Sequence, residues 1–232
     1  MCRTLLSTAA LSLAFGCAAS DASGDSGTDI PVVAGWFTIG HFITGAGLEN
    51  IELCVVSTEA CQTTDANGNA TLDLPADAEI ALTVAGGEYA PQIYPLRTTS
   101  EQLVLSYYLA PLDLLLAGAA DAGVEVDESM GQMAISLQNV SLESTSGYAA
   151  TLSAGDGPYY VDDLSITIDL SADETSRSGR LLALNIPTDT VTVTLDGPGT
   201  CLPKAHYWQA GPNKAVMAIL PGFLAGVTMI CE

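Results

Sequence analysis

The chain has 232 residues, 48% of them hydrophobic, with 27 Asp and Glu residues against 6 Lys and Arg residues. This length suits one large domain or two domains of about 100 residues each. The formal net charge of -21 excludes a nucleic-acid-binding protein that works through a basic surface, because nearly every face would repel phosphates.

Residues 1–17 have the features of an export signal: Arg3 supplies a positive charge, residues 5–15 are largely apolar, and Gly16 precedes Cys17. The apolar stretch is shorter than the roughly 20 residues of a membrane-spanning helix. Its end resembles a bacterial lipoprotein signal, in which the cysteine becomes the lipidated first residue of the mature protein. Ordinary cleavage nearby is the alternative.

Residues 18–30 are rich in Ser, Gly, Asp and Ala, a composition typical of a flexible tether. A tether after a lipidated cysteine would hold a folded body away from the membrane. We therefore expect an exported protein, lipid-anchored at the outer membrane or cell surface, with a secreted or periplasmic soluble protein as the alternative.

Four cysteines remain once the signal is removed and one cysteine is lipidated: Cys54, Cys61, Cys201 and Cys231. An even number in an exported chain indicates two disulfides. We predict the pairs Cys54–Cys61 and Cys201–Cys231, because each pair lies inside one predicted domain. A zinc site is the alternative, but no histidine lies near either pair and the spacings lack C-x-x-C knuckles.

Residues 64–84 and 175–195 repeat one pattern. A Thr is followed four positions later by a Gly, then by an apolar strand ending in Pro, then by a second, alternating strand. The matched positions are Thr64 and Thr175, Gly68 and Gly179, and Pro75 and Pro187. Gly permits a positive φ, and Pro ends a strand because it cannot donate to the ladder. The duplication predicts two similar β modules.

Other segments also alternate apolar and polar residues or form short apolar runs between turn signals, as strands do. They are residues 51–55, 133–137, 164–170, 215–220 and 227–231. Strands with one dry and one wet face are typical of sandwiches of antiparallel sheets. We predict a mainly β chain with one sandwich over 31–97, a second over 124–232, and a connector over 98–123.

The segment from Cys54 through the run 61–75, and the segment 179–195 with its Asn185-Ile186-Pro187 corner, resemble a carboxypeptidase regulatory-like (transthyretin-like) β-sandwich domain. The resemblance covers residues 32–96 and 130–232. It implies tandem antiparallel sandwiches in an exported lipoprotein of the kind found in myxobacteria-like bacteria. In carboxypeptidases the module is an accessory to the enzyme, so the resemblance implies no active-site residues and no cofactor here.

Residues 98–123 break the alternating pattern. Thr98-Thr99-Ser100-Glu101 is a candidate capping box, which predicts a helical connector that Pro111 kinks or splits into two. A membrane span over 102–120 is the alternative. Asp113 opposes it, since a central Asp costs about 2.5–3.5 kcal/mol on insertion scales.

The two histidines, His41 and His206, lie in segments without a nucleophile elbow or a metal-ligand spacing, so both are predicted to be structural. The turn around Asp65 and Gly68 superficially resembles a calcium loop. Its glycine stands fourth rather than sixth, and the twelfth position is Ala76, so a tight turn is the simpler interpretation.

Aromatic and acidic residues come together in one segment, where they could grip a sugar or a calcium ion. These weak ligand-binding candidates are Tyr159, Tyr160, Asp162 and Asp163. The alternative is a solvated turn entering the next strand, because adjacent strand residues point to opposite faces.

These patterns predict a non-enzymatic cell-envelope lipoprotein that acts as a binding or structural module, with no catalytic residue, metal or cofactor. Its expected partners are the membrane, through the anchor, and an envelope protein or polysaccharide, but no nucleic acid. The alternative is a carbohydrate- or calcium-dependent adhesin, which requires Tyr159, Tyr160, Trp36 or Trp208 to form an exposed platform. A hydrolase using Asp/Glu pairs is a more remote alternative.

Overall fold

A computed structural model describes residues 31–162, 167–187 and 189–232. The predicted signal over 1–17, with lipidation at Cys17, and the predicted tether over 18–30 lie outside the described residues, as does Asp163. The described chain contains one helix, α1 (Leu112–Asp121), and the following strands: β1 Val32–His41, β2 Glu52–Val55, β3 Cys61–Thr63, β4 Asn69–Pro75, β5 Glu79–Ala85, β6 Gln92–Arg97, β7 Leu103–Leu109, β8 Gly131–Asn139, β9 Ala149–Leu152, β10 Asp156–Val161, β11 Ile168–Asp169, β12 Arg180–Ile186, β13 Asp189–Asp196, β14 Cys201–Pro203, β15 Lys214–Ile219 and β16 Leu224–Cys231.

The prediction of a mainly β chain is confirmed. The strands form a large sheet with the order β11-β10-β12-β8-β16-β6-β5-β2-β3, in which β14 also pairs with β16. Two three-stranded sheets, β4-β1-β7 and β15-β13-β9, complete the fold. On β13, Val191, Val193 and Leu195 are buried while Thr194 is exposed. The predicted alternation of apolar and polar residues therefore places the apolar side chains of this strand in the core.

Strand pairing repeats along the chain. In the first half (β1 to β7), β1 pairs antiparallel with β4 and parallel with β7. In the second half (β8 to β16), β8 pairs antiparallel with β12 and parallel with β16. The sets β2-β5-β6 and β9-β13-β15 are antiparallel in the same order. The repeated sequence segments therefore occupy corresponding strands, β4 and β5 in one half and β12 and β13 in the other.

The threonine that opens each repeat makes the same contacts in both halves. Thr64 Oγ1 accepts a hydrogen bond from the Ile51 N–H at 2.9 Å, and Thr175 Oγ1 accepts one from the Tyr148 N–H at 3.2 Å. Each threonine N–H in turn donates to the carbonyl of the same partner, at 2.9 Å in both cases. Both threonines are buried, so these bonds satisfy main-chain groups that solvent does not reach.

The glycine four positions later is required by backbone geometry. Gly68 has φ of 80° and Gly179 has φ of 62°. A Cβ atom at Gly68 would collide with the Ile39 carbonyl oxygen, and one at Gly179 with the Leu137 carbonyl oxygen. Ile39 and Leu137 lie at corresponding places on β1 and β8, so the same close approach of two main chains is built twice.

The arrangement of the halves differs from the predicted pair of antiparallel sandwiches. Strand β16 pairs parallel with β8 and, through Leu224 and Ala225, parallel with β6. The two halves therefore share one continuous sheet, and their buried residues form one hydrophobic cluster that includes both Leu53 and Met217. Pairing satisfies main-chain groups of β6 and β16 that would otherwise be free at a sheet edge.

The predicted connector is only partly helical. Residues Leu103–Leu109 form β7, in which Tyr107 and Leu109 are buried between exposed neighbours. This is a period of two, which the apolar composition of the segment concealed. Pro111 is the N-cap of α1 rather than a kink within it, because a residue without an N–H is tolerated where a helix begins. Within the described residues, α1 is too short to cross a bilayer and no other helix could do so.

Both predicted disulfides are present. Cys54–Cys61 joins directly opposed residues of β2 and β3, and Cys201–Cys231 joins directly opposed residues of β14 and β16. Glu52 lies beside the first pair with ligand atoms close enough to share a metal ion. A disulfide sulfur is not the thiolate that binds metals, so this group is not a metal site.

Candidate functional site

A cavity of about 470 Å³ lies where β7 of the first half and the following helix α1 face β8, β12 and β16 of the second half. Strand alternation decides which β8 side chains face it. Met133 and Leu137 are fully buried in the core, whereas Ala134, Ser136 and Gln138 are half-buried and line the cavity. One face of β8 therefore packs into the hydrophobic core, and the opposite face lines the cavity.

Three buried tyrosines form the inner wall of the cavity. The rings of Tyr94 and Tyr107 are stacked with centroids 3.7 Å apart, and the Tyr94 hydroxyl donates to Gln92 Oε1. Burial raises the pKa of Tyr94 and Tyr107 well above the usual value, and it raises the pKa of Tyr207 to about 12. All three phenols are therefore protonated at neutral pH, and each can donate a hydrogen bond.

Two buried polar atoms beside the cavity lack a hydrogen-bond partner within the described part of the chain: Tyr107 Oη and Gln138 Oε1. Tyr107 is 4% exposed, so bulk water does not compensate for the missing partner. A buried unsatisfied hydroxyl costs about 1–3 kcal/mol.

Two basic side chains line the same cavity, Arg180 on β12 and Lys204 just after β14. The Arg180 guanidinium lies over the Phe42 ring, 4.9 Å from its centroid, and burial lowers the pKa of Arg180. No Asp or Glu is found among the described residues that line the cavity, although the chain has 27 acidic residues against 6 basic ones. The cavity is therefore a locally basic site in a strongly acidic protein.

Neither histidine lines the cavity. His41 Nδ1 accepts a hydrogen bond from the Ile43 N–H at 3.0 Å, so it organises the turn after β1. His206 is half-buried. Burial, with a contribution from the nearby charge of Lys204, lowers the pKa of His206 to about 4. These surroundings support the structural interpretation of both residues.

Three of the four predicted ligand-binding residues, Tyr159, Tyr160 and Asp162, belong to the described residues, and they do not form one exposed surface. Tyr160 is buried, and its hydroxyl accepts a hydrogen bond from the Ala150 N–H at 2.9 Å. Tyr159 points to the opposite face of β10, half-buried against the hydrophobic cluster around α1. Asp162 is also half-buried, and its N–H donates to the Thr167 carbonyl. As expected for adjacent residues of a strand, alternation along β10 places Tyr159 and Tyr160 on opposite faces.

The aromatic platform required of an adhesin is also divided. Trp36 is 53% exposed on β1, but Trp208 is half-buried with its indole N–H donating to the Ile80 and Leu96 carbonyls. Trp208 therefore fastens a loop of the second half to the first half. Of the four predicted platform rings, those of Tyr160 and Trp208 are engaged within the fold.

The calcium-like segment is a side-chain-stabilised turn. Asp65 Oδ1 accepts hydrogen bonds from the Asn67 N–H at 2.9 Å and the Asn69 N–H at 2.8 Å. These bonds lower the pKa of Asp65. The carboxylate thus stabilises the turn itself, as an aspartate does at the start of an Asx turn.

Sequence reasoning missed the residues that give the cavity its character: Tyr107, Arg180 and Lys204. They come from three distant segments and belong to no motif. The one signal in the sequence was the small number of basic residues. Because the chain has so few, the presence of two of them on the wall of one cavity is unusual.

No model of a known protein family matches the chain, and no curated protein matches it. Among solved structures, the minor pilin GBS52 of Streptococcus agalactiae is similar with 14% identity and a TM-score of 0.30, covering 86% of this chain and 95% of that one. The shaft pilin SpaA of Lactobacillus rhamnosus GG gives 11% identity and a TM-score of 0.26, covering 87% and 98%. No conclusion about this chain follows from likenesses of that degree.

Proposed function

We propose that this protein is a non-enzymatic binding module of the bacterial cell envelope that takes up a small molecule in the cavity between its two halves. The cavity carries the proposal: at about 470 Å³ it lies within the range of small-molecule sites, and polar groups converge on an otherwise apolar wall.

Binding suits the chemistry of the cavity wall better than catalysis does. Its phenols are held protonated by burial, and its two basic side chains, Arg180 and Lys204, can hold a ligand. A glycoside hydrolase of the remote alternative needs two facing carboxylates. The described residues lining the cavity include no carboxylate, imidazole or thiol.

Two features support the envelope as the location. The disulfides Cys54–Cys61 and Cys201–Cys231 are typical of an oxidising compartment outside the cytoplasm. The predicted lipidation of Cys17, followed by the tether over 18–30, would attach the module to the outer membrane. An acidic body would then be repelled from anionic headgroups and stand away from the surface.

The repeated strand pairing supports two halves of the transthyretin-like kind, although they are fused through one sheet. In this proposal the fusion serves the site, since each half supplies one wall of the cavity. The proposal also includes an envelope protein or polysaccharide as a partner that binds the outer surface.

A cavity-filling substitution tests the proposal. Purified protein is titrated with neutral N-phenyl-1-naphthylamine and with anionic 1-anilinonaphthalene-8-sulfonate, two fluorescent probes of closely related skeleton. We expect at least one to bind the wild type and to bind Ala134→Phe at least about tenfold more weakly, because the new ring occupies the cavity. Thr194→Phe, at an exposed position of β13, is the matched control. Absence of binding by both probes to folded wild-type protein would refute the proposal.

The anchor is tested in the bacterium. Metabolic labelling with a palmitate analogue should mark the wild type and not Cys17→Ser. Cys2→Ser is the control, because Cys2 precedes the proposed processing site and would be removed. Equal labelling of wild type and Cys17→Ser would disprove lipidation at Cys17.

A further inference from the structure

We infer that the cavity selects an amphipathic anion, a small molecule with an apolar body and one carboxylate or sulfonate group. This inference rests on the proposed function, and it adds the chemical class of the ligand. Two independent features of the cavity support it: charge and apolar shape.

The first feature is charge. Arg180 and Lys204 both line the cavity, and neither forms an ion pair with another residue in the ranges that the structure describes. The Arg180 guanidinium is half-buried and stacked on Phe42, which orients the group while leaving its charge uncompensated. Burying a charge without a partner is unfavourable, so an anion entering the cavity would gain from both cations.

Long-range electrostatics act the other way. The net charge of -21 repels anions in bulk solution, but salt screens that repulsion beyond about 8 Å at physiological ionic strength. Among the described residues that line the cavity, the charged ones are Arg180 and Lys204, both positive. The local field therefore decides which molecules stay bound, whereas the global field only slows their arrival.

The second feature is the apolar remainder of the wall. Leu114 and Leu115 of α1, Leu182 of β12 and Leu224 of β16 line the cavity. The cavity, at about 470 Å³, is many times larger than the space of one water molecule. This is too large for a bare inorganic anion, which would leave the leucines without contact.

The same two probes test the inference, because one carries a sulfonate and the other is neutral. We expect the sulfonate probe to bind wild-type protein about tenfold or more tightly than the neutral probe, the difference that one charge-assisted hydrogen bond produces. In Arg180→Gln and Lys204→Gln this preference should fall toward unity, while affinity for the neutral probe is retained.

Matched controls separate local from global charge. Arg177→Gln and Lys214→Gln remove the same charges from exposed positions outside the cavity lining and should keep the preference. Arg180→Lys keeps the charge but loses the planar fork, and it should restore most of the preference. Circular dichroism and the melting temperature establish that each variant is folded. Lys204→Gln, in a loop, provides the decisive variant if Arg180→Gln does not fold.

The outcomes are distinct. Equal affinity for both probes, unchanged in Arg180→Gln and Lys204→Gln, would overturn the anion inference while leaving a binding cavity in place. Loss of the preference in Arg177→Gln and Lys214→Gln to the same degree would also overturn it, since the effect would then come from net charge. Failure of both probes to bind folded wild type would remove the proposed function itself.

Discussion

At Gly68 and Gly179 the chain bends directly beneath a main-chain carbonyl, with φ of 80° and 62°. The threonine that precedes each glycine by four positions ties the same turn to a neighbouring strand. Single residues thus determine where each repeated strand begins. Their role was visible in the sequence because turn chemistry is local and tolerates few alternatives.

Replacing these glycines should be costly for two separable reasons. A left-handed conformation costs an ordinary residue about 1–2 kcal/mol, and the added Cβ would also meet a carbonyl oxygen. We expect Gly68→Ala and Gly179→Ala each to lower the free energy of unfolding by about 3 kcal/mol or more. Gly123→Ala is the control, because Gly123 has φ of 70° with no atom near a built Cβ. Denaturant titration measures the difference. Equal losses at all three positions would show that the close approach does not matter.

His206 makes stability depend on pH. Its pKa is about 4 in the folded protein and about 6.5 in the unfolded chain. The contribution of His206 to the free energy of unfolding is complete above pH 6.5. It is lost as the pH falls toward 4, because the unfolded chain binds a proton that the ring in the folded protein excludes. Allowing for solvent at a half-exposed ring, we expect about 1 kcal/mol of destabilisation between pH 7 and pH 5.

The measurement is the free energy of unfolding at the two pH values. His206→Gln should remove most of that loss, whereas His41→Gln retains His206 and therefore the loss. An unchanged difference in His206→Gln would contradict the assignment.

At the scale of elements, the two disulfides act on loops of different length. Cys54–Cys61 spans 7 positions within a hairpin, and Cys201–Cys231 spans 30 and secures the last strand to β14. A crosslink restricts the unfolded chain more when the loop it closes is longer. Both pairings followed from assigning each cysteine pair to one half of the chain.

Removal of each pair should reflect that difference. Chain-entropy estimates give about 2.4 kcal/mol for Cys54→Ser with Cys61→Ser and about 3.6 kcal/mol for Cys201→Ser with Cys231→Ser. Urea unfolding of both double variants against wild type provides the comparison. A larger loss from the shorter loop would indicate that enthalpic effects outweigh chain entropy.

Strand β7 shows why one element escaped prediction. Residues 98–123 contain apolar side chains at both helical and alternating spacings, and a capping-box sequence favoured the helix. Leu103–Leu109 form a strand because they pair with β1, which would otherwise present a free edge. The helix then began after Pro111, where the chain leaves the sheet.

At the scale of the whole molecule, the halves are joined by more than a connector. Strand β16 lies between β8 and β6 in one sheet, the core is continuous, and Trp208 donates to the Ile80 carbonyl of the first half. Damage to the core of one half should therefore weaken the other.

We expect calorimetry to show one unfolding transition with equal calorimetric and van't Hoff enthalpies. Leu53→Ala in the first half and Met217→Ala in the second, both at fully buried positions, should each destabilise by about 2–5 kcal/mol and shift that single transition. Two transitions, with each variant shifting only one, would mean that the halves unfold independently.

Local patterns in the sequence determined the mainly β character, the repeated Thr–Gly turns and the cystine pairs, because periodicity and turn chemistry act over a few neighbouring residues. Only the tertiary structure decided that β6 and β16 pair and that Arg180, Lys204 and Tyr107 line one cavity. Those contacts join residues far apart in the chain, and they arise from how two sheets dock. No short-range pattern records that docking, so the candidate site became visible only once the halves were placed together.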